Sequence, residues 1–459
     1  MRFLYILFFI ISLPVMAQRE VNLFFMESVH QSSYINPAAV PDHKVSIGLP
    51  AIGSIQTGFT HPSFAFGHTH DGNKWNVDDI INNRLNNRNL FHFSASVELF
   101  TLRMKVGKYY FSLTNSLRSN NTLTYPGDLF KLMWNGNASQ DKFDLSAFGA
   151  DVTAYTEHGI GFTREFRDFT IGGRIKLLNG LSNIHTRNHG LSLHTKRGEY
   201  DHYALEASGE VELLASGYLN SILHDENDEE LLEQGLFSNI GVAIDLGINY
   251  HLNDKIELFG SITDIGFIRW RHNTSNYSIS ESRAFSGLEF GLADVAFGDV
   301  DFDSLMTSAI DSLRKDIEHS SEEKSYTTTP IAHLYLGGTY QVFRNTRLLA
   351  LTNIAILKGV RASMTVGAQQ KFRRLLSVSI TNTIQYRRLL NLGIGLMVKP
   401  GPFQLYIAAD NISDLFTYQT DPENSFMIPH KMNNFNVRLG MNLVFGKVKG
   451  ETKLQTLLD

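Results

Sequence analysis

Arg174 and Lys176 stand two residues apart, facing away from Ile171, Gly173 and Ile175. Asp245 falls in the set Gly241, Ala243, Gly247, Asn249, opposite Ile240, Val242, Ile244, Leu246, Ile248 and Tyr250. Arg438 shares a face with Asn436, Gly440 and Asn442, opposite Val437, Leu439, Met441, Leu443 and Phe445. A period of two puts the members of each pair of sets on opposite sides of a sheet. Charges confined to one face can line a pore, or can hold an inserted segment by hydrogen bonds and ion pairs. The plainer use is that they satisfy one another across a closed space. Arg174, Lys176, Asp245 and Arg438 are therefore the candidate lumen-lining residues. Asn36 and Pro37, in the non-strand stretch Ser32-Ser33-Tyr34-Ile35-Asn36-Pro37-Ala38, are the candidate plug contacts.

Other chemistry finds little footing. No nucleophile elbow, Walker A loop, zincin motif or dinucleotide fingerprint occurs. His68 with His70, the set His185, His189, His194, and His251 lack metal-ligand spacing and read as solvated loop histidines. Ser192 near His194 is an unremarkable same-face pair, so no catalytic residue is expected and an enzyme is set aside. The acidic run Asp225 to Glu230 and the set Asp299, Asp301, Asp303 offer carboxylate oxygens without EF-hand order. They read as charged loops, with a divalent cation bridging them to lipopolysaccharide as a further use. No cofactor and no metal is expected.

The elements that must position these residues are strands. Residues 91–106 and 108–117 meet at Gly107, 150–166 and 169–178 at Arg167-Asp168, and 240–252 and 256–263 at Asn253-Asp254. Residues 332–342 and 348–357 meet at Arg344-Asn345, 362–371 and 376–385 at Phe372-Arg373-Arg374, and 392–398 and 403–410 at Lys399-Pro400-Gly401. Asn, Asp, Gly and Pro are turn formers. Longer polar connections separate the pairs, at 61–90, 119–149, 216–238, 271–330 and 411–434. Tight turns alternating with long loops is the pattern of a membrane barrel, with turns in the periplasm and loops outside. A soluble Greek-key sandwich would pack the apolar faces inward and has no reason for that alternation.

With a first strand in 45–60 and a last ending at Phe445, the count reaches about sixteen. It falls to about fourteen if the pair within 191–214 projects beyond the membrane. Aromatic residues near strand ends, Tyr109-Tyr110, Phe162, Phe166, Phe169, Tyr250, Phe403 and Phe445, suit interfacial girdles. A short helix is expected over 303–318. The fold class is thus all-β: a transmembrane antiparallel barrel of about 14–16 strands. It has a signal peptide (1–17), a plug or hatch segment (18–44), the barrel (45–446) and a polar tail (447–459).

The signal rests on Met1-Arg2, the apolar run from Phe3 to Leu13, and Val15-Met16-Ala17 at the cleavage edge. The 459 residues contain no cysteine, which excludes disulfides, a lipoprotein cysteine and thiolate sites. The net charge of −5 argues against nucleic acid. Slightly negative mean hydropathy does not exclude a membrane, because barrel strands present only alternate residues to lipid.

Several segments carry a resemblance. They are Asn36-Pro37-Ala38-Ala39-Val40-Pro41-Asp42 with Val45-Ser46-Ile47-Gly48-Leu49-Pro50, Ser261 to Trp270, Gly401-Pro402-Phe403-Gln404-Leu405-Tyr406, and Phe435 to Leu443. In that order they resemble the Bacteroidota outer-membrane barrels catalogued as a domain of unknown function. That family is similar to FadL-like barrels and, more distantly, to PorV-type barrels of the type IX secretion system. The resemblance implies a barrel of typically fourteen strands plugged by its N-terminal segment, and it supplies no ligand-binding position.

Two functions follow as expectations. One is FadL-like transport or binding of a small, apolar solute, with a lateral exit near a strand kink. The other is a non-conducting accessory subunit of an outer-membrane assembly or secretion complex. Expected partners are outer-membrane lipid and lipopolysaccharide, a small apolar ligand or an outer-membrane protein complex, and no nucleic acid.

Overall fold

A computed structural model describes residues 21–448, except 62, 64–69, 72–73, 76, 198–202, 225–237, 280–283, 286–320, 358, 374, 386–388, 413–417, 421–426 and 430–432. The expected signal peptide, the acidic runs, the 303–318 helix and the tail beyond Val448 lie outside the described residues.

The fold is a closed antiparallel barrel. Its staves begin with β1, in two pieces (His43–Gly48 and Ile55–Thr60), β2 (Asn89–Val106), β3 (Tyr109–Tyr125), β4 (Gly149–Glu165) and β5 (Phe169–Arg197). The ribbon β6 (Tyr203–Gly217) is not a stave. Then come β7 (Asn239–His251), β8 (Ile256–Trp270), and β9, also in two pieces (Tyr326–Thr328 and His333–Phe343). The ring ends with β10 (Thr346–Ile356), β11 (Val360–Phe372), β12 (Leu376–Ile384), β13 (Leu392–Val398), β14 (Phe403–Asp410) and β15 (Asn434–Lys447). β15 pairs with β1, Ile47 opposite Leu443 and Ile55 opposite Leu439, which closes a ring of fourteen staves.

The extra pair within 191–214 is explained by the length of β5. Its first half pairs with β7 (Arg174 opposite Asp245) and its second half with β6 (Leu193 opposite Ala207). β6 pairs in turn with Thr274–Ile279. β5 and β6 thus run past the barrel rim as an extension, and the count is fourteen rather than sixteen.

Burial follows the period of two. Ile240, Val242, Ile244, Leu246, Ile248 and Tyr250 are exposed on the outer wall, whereas Asn239, Ala243 and Asp245 are buried. Ile380 and Ile384 face out, and Thr381 and Thr383 face in. A continuous outward apolar wall over a polar interior suits hydrocarbon and not water. Tyr109, Phe162, Phe166, Phe403 and Phe445 ring the tight-turn end on the outside. Tyr110, grouped with that girdle by position in the sequence, is one residue out of phase with Tyr109 and is buried in the interior.

Two staves are interrupted. In β1, Gly48 pairs with Asn442 and Ile55 with Leu439, so seven steps of β1 span three of β15. The extra chain forms a tight excursion closed by Gly53 N–H to the Leu49 carbonyl at 2.6 Å. Its backbone is re-bonded to both neighbours: Ala51 N–H to Glu98 O at 2.9 Å, and Met441 N–H to Ile52 O at 2.9 Å. Pro50, which has no N–H, sits at the exposed tip. In β9, Thr328 pairs with Ile268 and His333 with Thr263, and no ladder pair joins 264–267 to 329–332 among the described residues.

The N-terminal segment runs inside the ring through a short helix, Val21–Phe24, and a 3-10 turn, His30–Tyr34. Val21, Leu23, Phe25, Met26 and Val29 are buried with Phe259, Tyr335, Leu349, Leu351 and Met397.

The outer wall generates a direct test. Ile244→Arg places a charge in the middle of a lipid-facing strand and should lower unfolding stability in lipid by about 2–4 kcal/mol. Ile244→Val should stay within about 1.5 kcal/mol of wild type. Urea midpoints in lipid vesicles measure both.

Candidate functional site

The interior divides into three levels, from the tight-turn end upward: the seat of the N-terminal segment, a layer of charge, and a chamber toward the long loops.

The seat is polar and close. Gln31 Nε2 donates to Asn442 Oδ1 at 2.9 Å, and Asn442 Nδ2 donates back to Gln31 Oε1 at 2.9 Å. Gln404 donates to the Ser28 carbonyl at 2.9 Å, Ser261 to the Ile35 carbonyl at 2.7 Å, and Asn22 Nδ2 to Asp410 at 2.7 Å. Asn36 donates to Asn249 Oδ1 at 2.6 Å and accepts from Ala38 N–H at 3.0 Å. The Pro37 carbonyl accepts from Thr163 at 2.8 Å. Glycines make room: a Cβ on Gly172 would lie 2.1 Å from Pro37 O, and one on Gly247 2.2 Å from Asn36 Oδ1. At the rim, Glu27 pairs with Arg347 at 2.7 Å. Burial disfavours the Glu27 carboxylate, but the charges of Arg347 and Lys371 outweigh it and lower its pKa.

Tyr34 links this seat to the wall. Its hydroxyl donates to Glu98 at 2.5 Å, and the guanidinium groups of Arg174 and Arg438 lie 5.0 and 5.8 Å from its ring centroid. Glu98 occupies the space left by the β1 excursion, where a Cβ on Gly48 or Gly53 would meet its Oε1 at 1.9 or 2.6 Å. Arg438 Nη1 donates to Ser54 Oγ. His30 Nδ1 bonds Ser46 Oγ at 2.5 Å. Burial, with His43 and Arg103 nearby, holds the His30 imidazole well below its ordinary pKa.

Above the seat, Arg174, Lys176 and Asp245 come together with three residues that the sequence alone did not single out: Arg118, Glu157 and Asp264. Arg174 Nη2 lies 2.8 Å from Asp245, and Lys176 Nζ 2.8 Å from Asp245 and 2.5 Å from Asp264. Arg118 reaches Glu157 at 3.3 Å and Asp264 at 3.4 Å. Three cations face three carboxylates, all buried. A bulge in β8 makes this possible, since Ile265 pairs with Ile244 but Ile262 with Leu246. Asp264 takes a left-handed backbone (φ 62°), and its N–H donates to Asp245 Oδ1 at 2.7 Å. Arg438 meets Ser54 and the Tyr34 ring instead.

The chamber has a volume of about 330 Å³ and is lined by Tyr155, Ile268, Pro330, Ile331, Ile356 and Leu357, with Asn120, Thr122, Asp151 and His185 on its polar side. Asp151 and His185 are paired. A narrow cleft shares Asn120, Tyr155, Ile331 and Leu357 with it and descends to Asp264. The chamber lies at the break between β8 and β9. Ile356 lines it and is also 62% exposed on the outer wall. Among the described residues no group of His, Asp or Glu is arranged to hold a metal ion.

A family profile described as a family of unknown function, DUF5723, matches residues 37–410. A search of curated proteins finds no match. Among solved structures, the chain is similar to the Ralstonia pickettii toluene transporter TbuX (9% identity, TM-score 0.44, covering 91% of this chain and 94% of that one). It is similar to the Pseudomonas putida toluene transporter TodX (10%, 0.40, 90% and 92%) and to a Pseudomonas aeruginosa FadL homologue (9%, 0.42, 90% and 93%).

Two outcomes follow. Asp245→Ala leaves Arg174 without its 2.8 Å partner and Lys176 with one fewer, so it should cost about 3–5 kcal/mol in urea unfolding, with Asp245→Asn costing less. For His30, the folded pKa lies below the unfolded value, so its contribution is complete above about pH 6.5 and lost as pH falls below it. Protease access to the N-terminal segment should therefore rise between pH 7.5 and 5.5, and His30→Asn should flatten that step.

Proposed function

This chain belongs to the family of unknown function DUF5723, and we propose that it is an outer-membrane barrel that takes up a small, largely apolar solute. The solute enters the loop-side chamber and leaves sideways through the wall. The observation that carries this reading is the unpaired stretch at 329–332 against 264–267, with the chamber immediately behind it. Pro330 withholds an N–H from the ladder, so the wall is weakest where the cavity meets it. Ile265, Phe267 and Ile356 face lipid around that break, which gives an apolar ligand an apolar exit.

The lower levels support a sideways rather than an axial route. The charge layer and the N-terminal segment stand across the direct path to the tight-turn end, and an apolar solute gains nothing by displacing paired charges. In this reading Arg174, Lys176 and Asp245 form the floor of the chamber. Arg438, Asn36 and Pro37 hold the plug.

The same closure favours a second reading, a non-conducting accessory subunit in an outer-membrane complex. The two separate in one experiment on the purified full chain. Ile331→Trp fills the chamber, and for transport it should weaken binding of a small apolar fluorophore by roughly tenfold or more, comparable to a lost anchor of about 1.4 kcal/mol. Equal binding by wild type and variant, together with a stoichiometric protein partner in mild-detergent pull-downs, would overturn transport in favour of the accessory role. Removing residues 18–38 should raise planar-bilayer conductance, and an unchanged current would refute the plug.

A further inference from the structure

The N-terminal segment is well bonded along most of its course, but not where it passes the tight-turn ends of β1, β2 and β3. Arg103 on β2 is 3% exposed. Its Nη2 donates to the Ala39 carbonyl at 2.5 Å, while Nε and Nη1 have no partner. No carboxylate of the described residues lies within 4.0 Å of it. Its Cζ is 5.4 Å from the ring centroid of Tyr110 on β3, whose buried hydroxyl is also unpartnered. Lys105 approaches the same ring at 4.6 Å but is already paired with Glu165 at 2.5 Å. On β1, His43 Nδ1 donates to Asp42 at 3.3 Å, and His43 Nε2 is buried without a partner.

Register brings these groups to one corner. Arg103 lies opposite Ser46 on β1 and Lys105 opposite Tyr110 on β3, and Arg103 and His43 are close enough to interact electrostatically. A buried guanidinium with no carboxylate in contact is costly, and the ring face of Tyr110 and the more distant Glu165 offset only part of that cost. Unmet buried N–H and O–H groups add to it. One ligand that met all of these donors would be an anion with several acceptor oxygens. His43, with its Nδ1 proton directed at Asp42, presents Nε2 as an acceptor, which such an anion would meet with an O–H.

We propose that this corner is a binding site for a small protonated oxyanion of the phosphate class. Arg103 Nε–H and Nη1–H and the Tyr110 hydroxyl donate to its oxygens, and its own hydroxyl donates to His43. Bound there, the anion ties β2 and β3 to the N-terminal segment through Arg103, which already holds Ala39. The site is independent of the chamber and of any solute that uses it.

Thermal unfolding of the full-length protein in detergent tests this, with inorganic phosphate titrated at constant ionic strength. Wild type should show a saturable rise in Tm, larger than sulfate gives at equal concentration. Tyr110→Phe should keep the fold and weaken the apparent phosphate affinity roughly tenfold, the scale of one hydrogen bond to a charged group. Arg103→Gln should abolish the effect. No saturable rise, or the same rise in both variants, would overturn the site and leave its donors to water. A rise with sulfate equal to that with phosphate would overturn the protonated-oxyanion assignment. Stabilisation by phosphatidylglycerol nanodiscs but not by inorganic phosphate would overturn the free anion in favour of a lipid headgroup.

Discussion

Everything inside this barrel depends on matching a ring of polar, inward-facing side chains to the segment that fills the space they enclose. Unpaired backbone groups are costly in hydrocarbon, so the strands close on themselves, and the break between β8 and β9 is a local exception to that rule. Closure then creates an interior whose Asn, Gln, Ser and Thr side chains need partners. Gln31 with Asn442, Gln404 with Ser28 and Asn22 with Asp410 supply them from the N-terminal segment. Glycines at 172 and 247 let that segment approach the wall closely. The contacts that seat the segment therefore also satisfy the wall.

The charge layer answers a different need. Six ionic groups buried at one level are poor evidence of net stability, since paired charges recover little beyond their desolvation. They do fix geometry. The left-handed Asp264 and the bulge that creates it are held by Asp245, and the same bulge lies beside the stretch where β8 and β9 part. The layer is thereby coupled to the break in the wall through a single residue.

Much of the wall was legible in the sequence. The alternation from Ile240 to Tyr250 and the short turns at Gly107, Asn253 and Pro400 specify strands, faces and connections, because a period of two leaves little choice once one face meets lipid. The phase defects were harder. The inward set runs Ser94, Ser96, Glu98 and then Thr101, Arg103, so its parity flips at Leu99. It flips again at Asp264. Those flips mark bulges, and a scan for them would have pointed to Glu98 and Asp264. Tyr110 was misplaced for a related reason: two adjacent tyrosines in a strand must face opposite ways. The β1 excursion was hidden because Leu49 to Ser54 reads as a turn within one strand. Partners such as Asp264 for Lys176, on staves that are not neighbours, are set by ring geometry, which spacing along the chain does not encode.

The span of the Gln31–Asn442 contact, 411 residues, has a kinetic consequence. The segment that occupies the interior is made long before the stave that completes its seat. The ring cannot close, nor its filling be fully seated, before β15 arrives, so assembly must bring the N-terminal segment and β15 together in one late step. Contacts this distant are slow to find. Until they form, the polar faces of the early strands have neither partner nor shelter, and a chaperone that shields those strands would act in that interval.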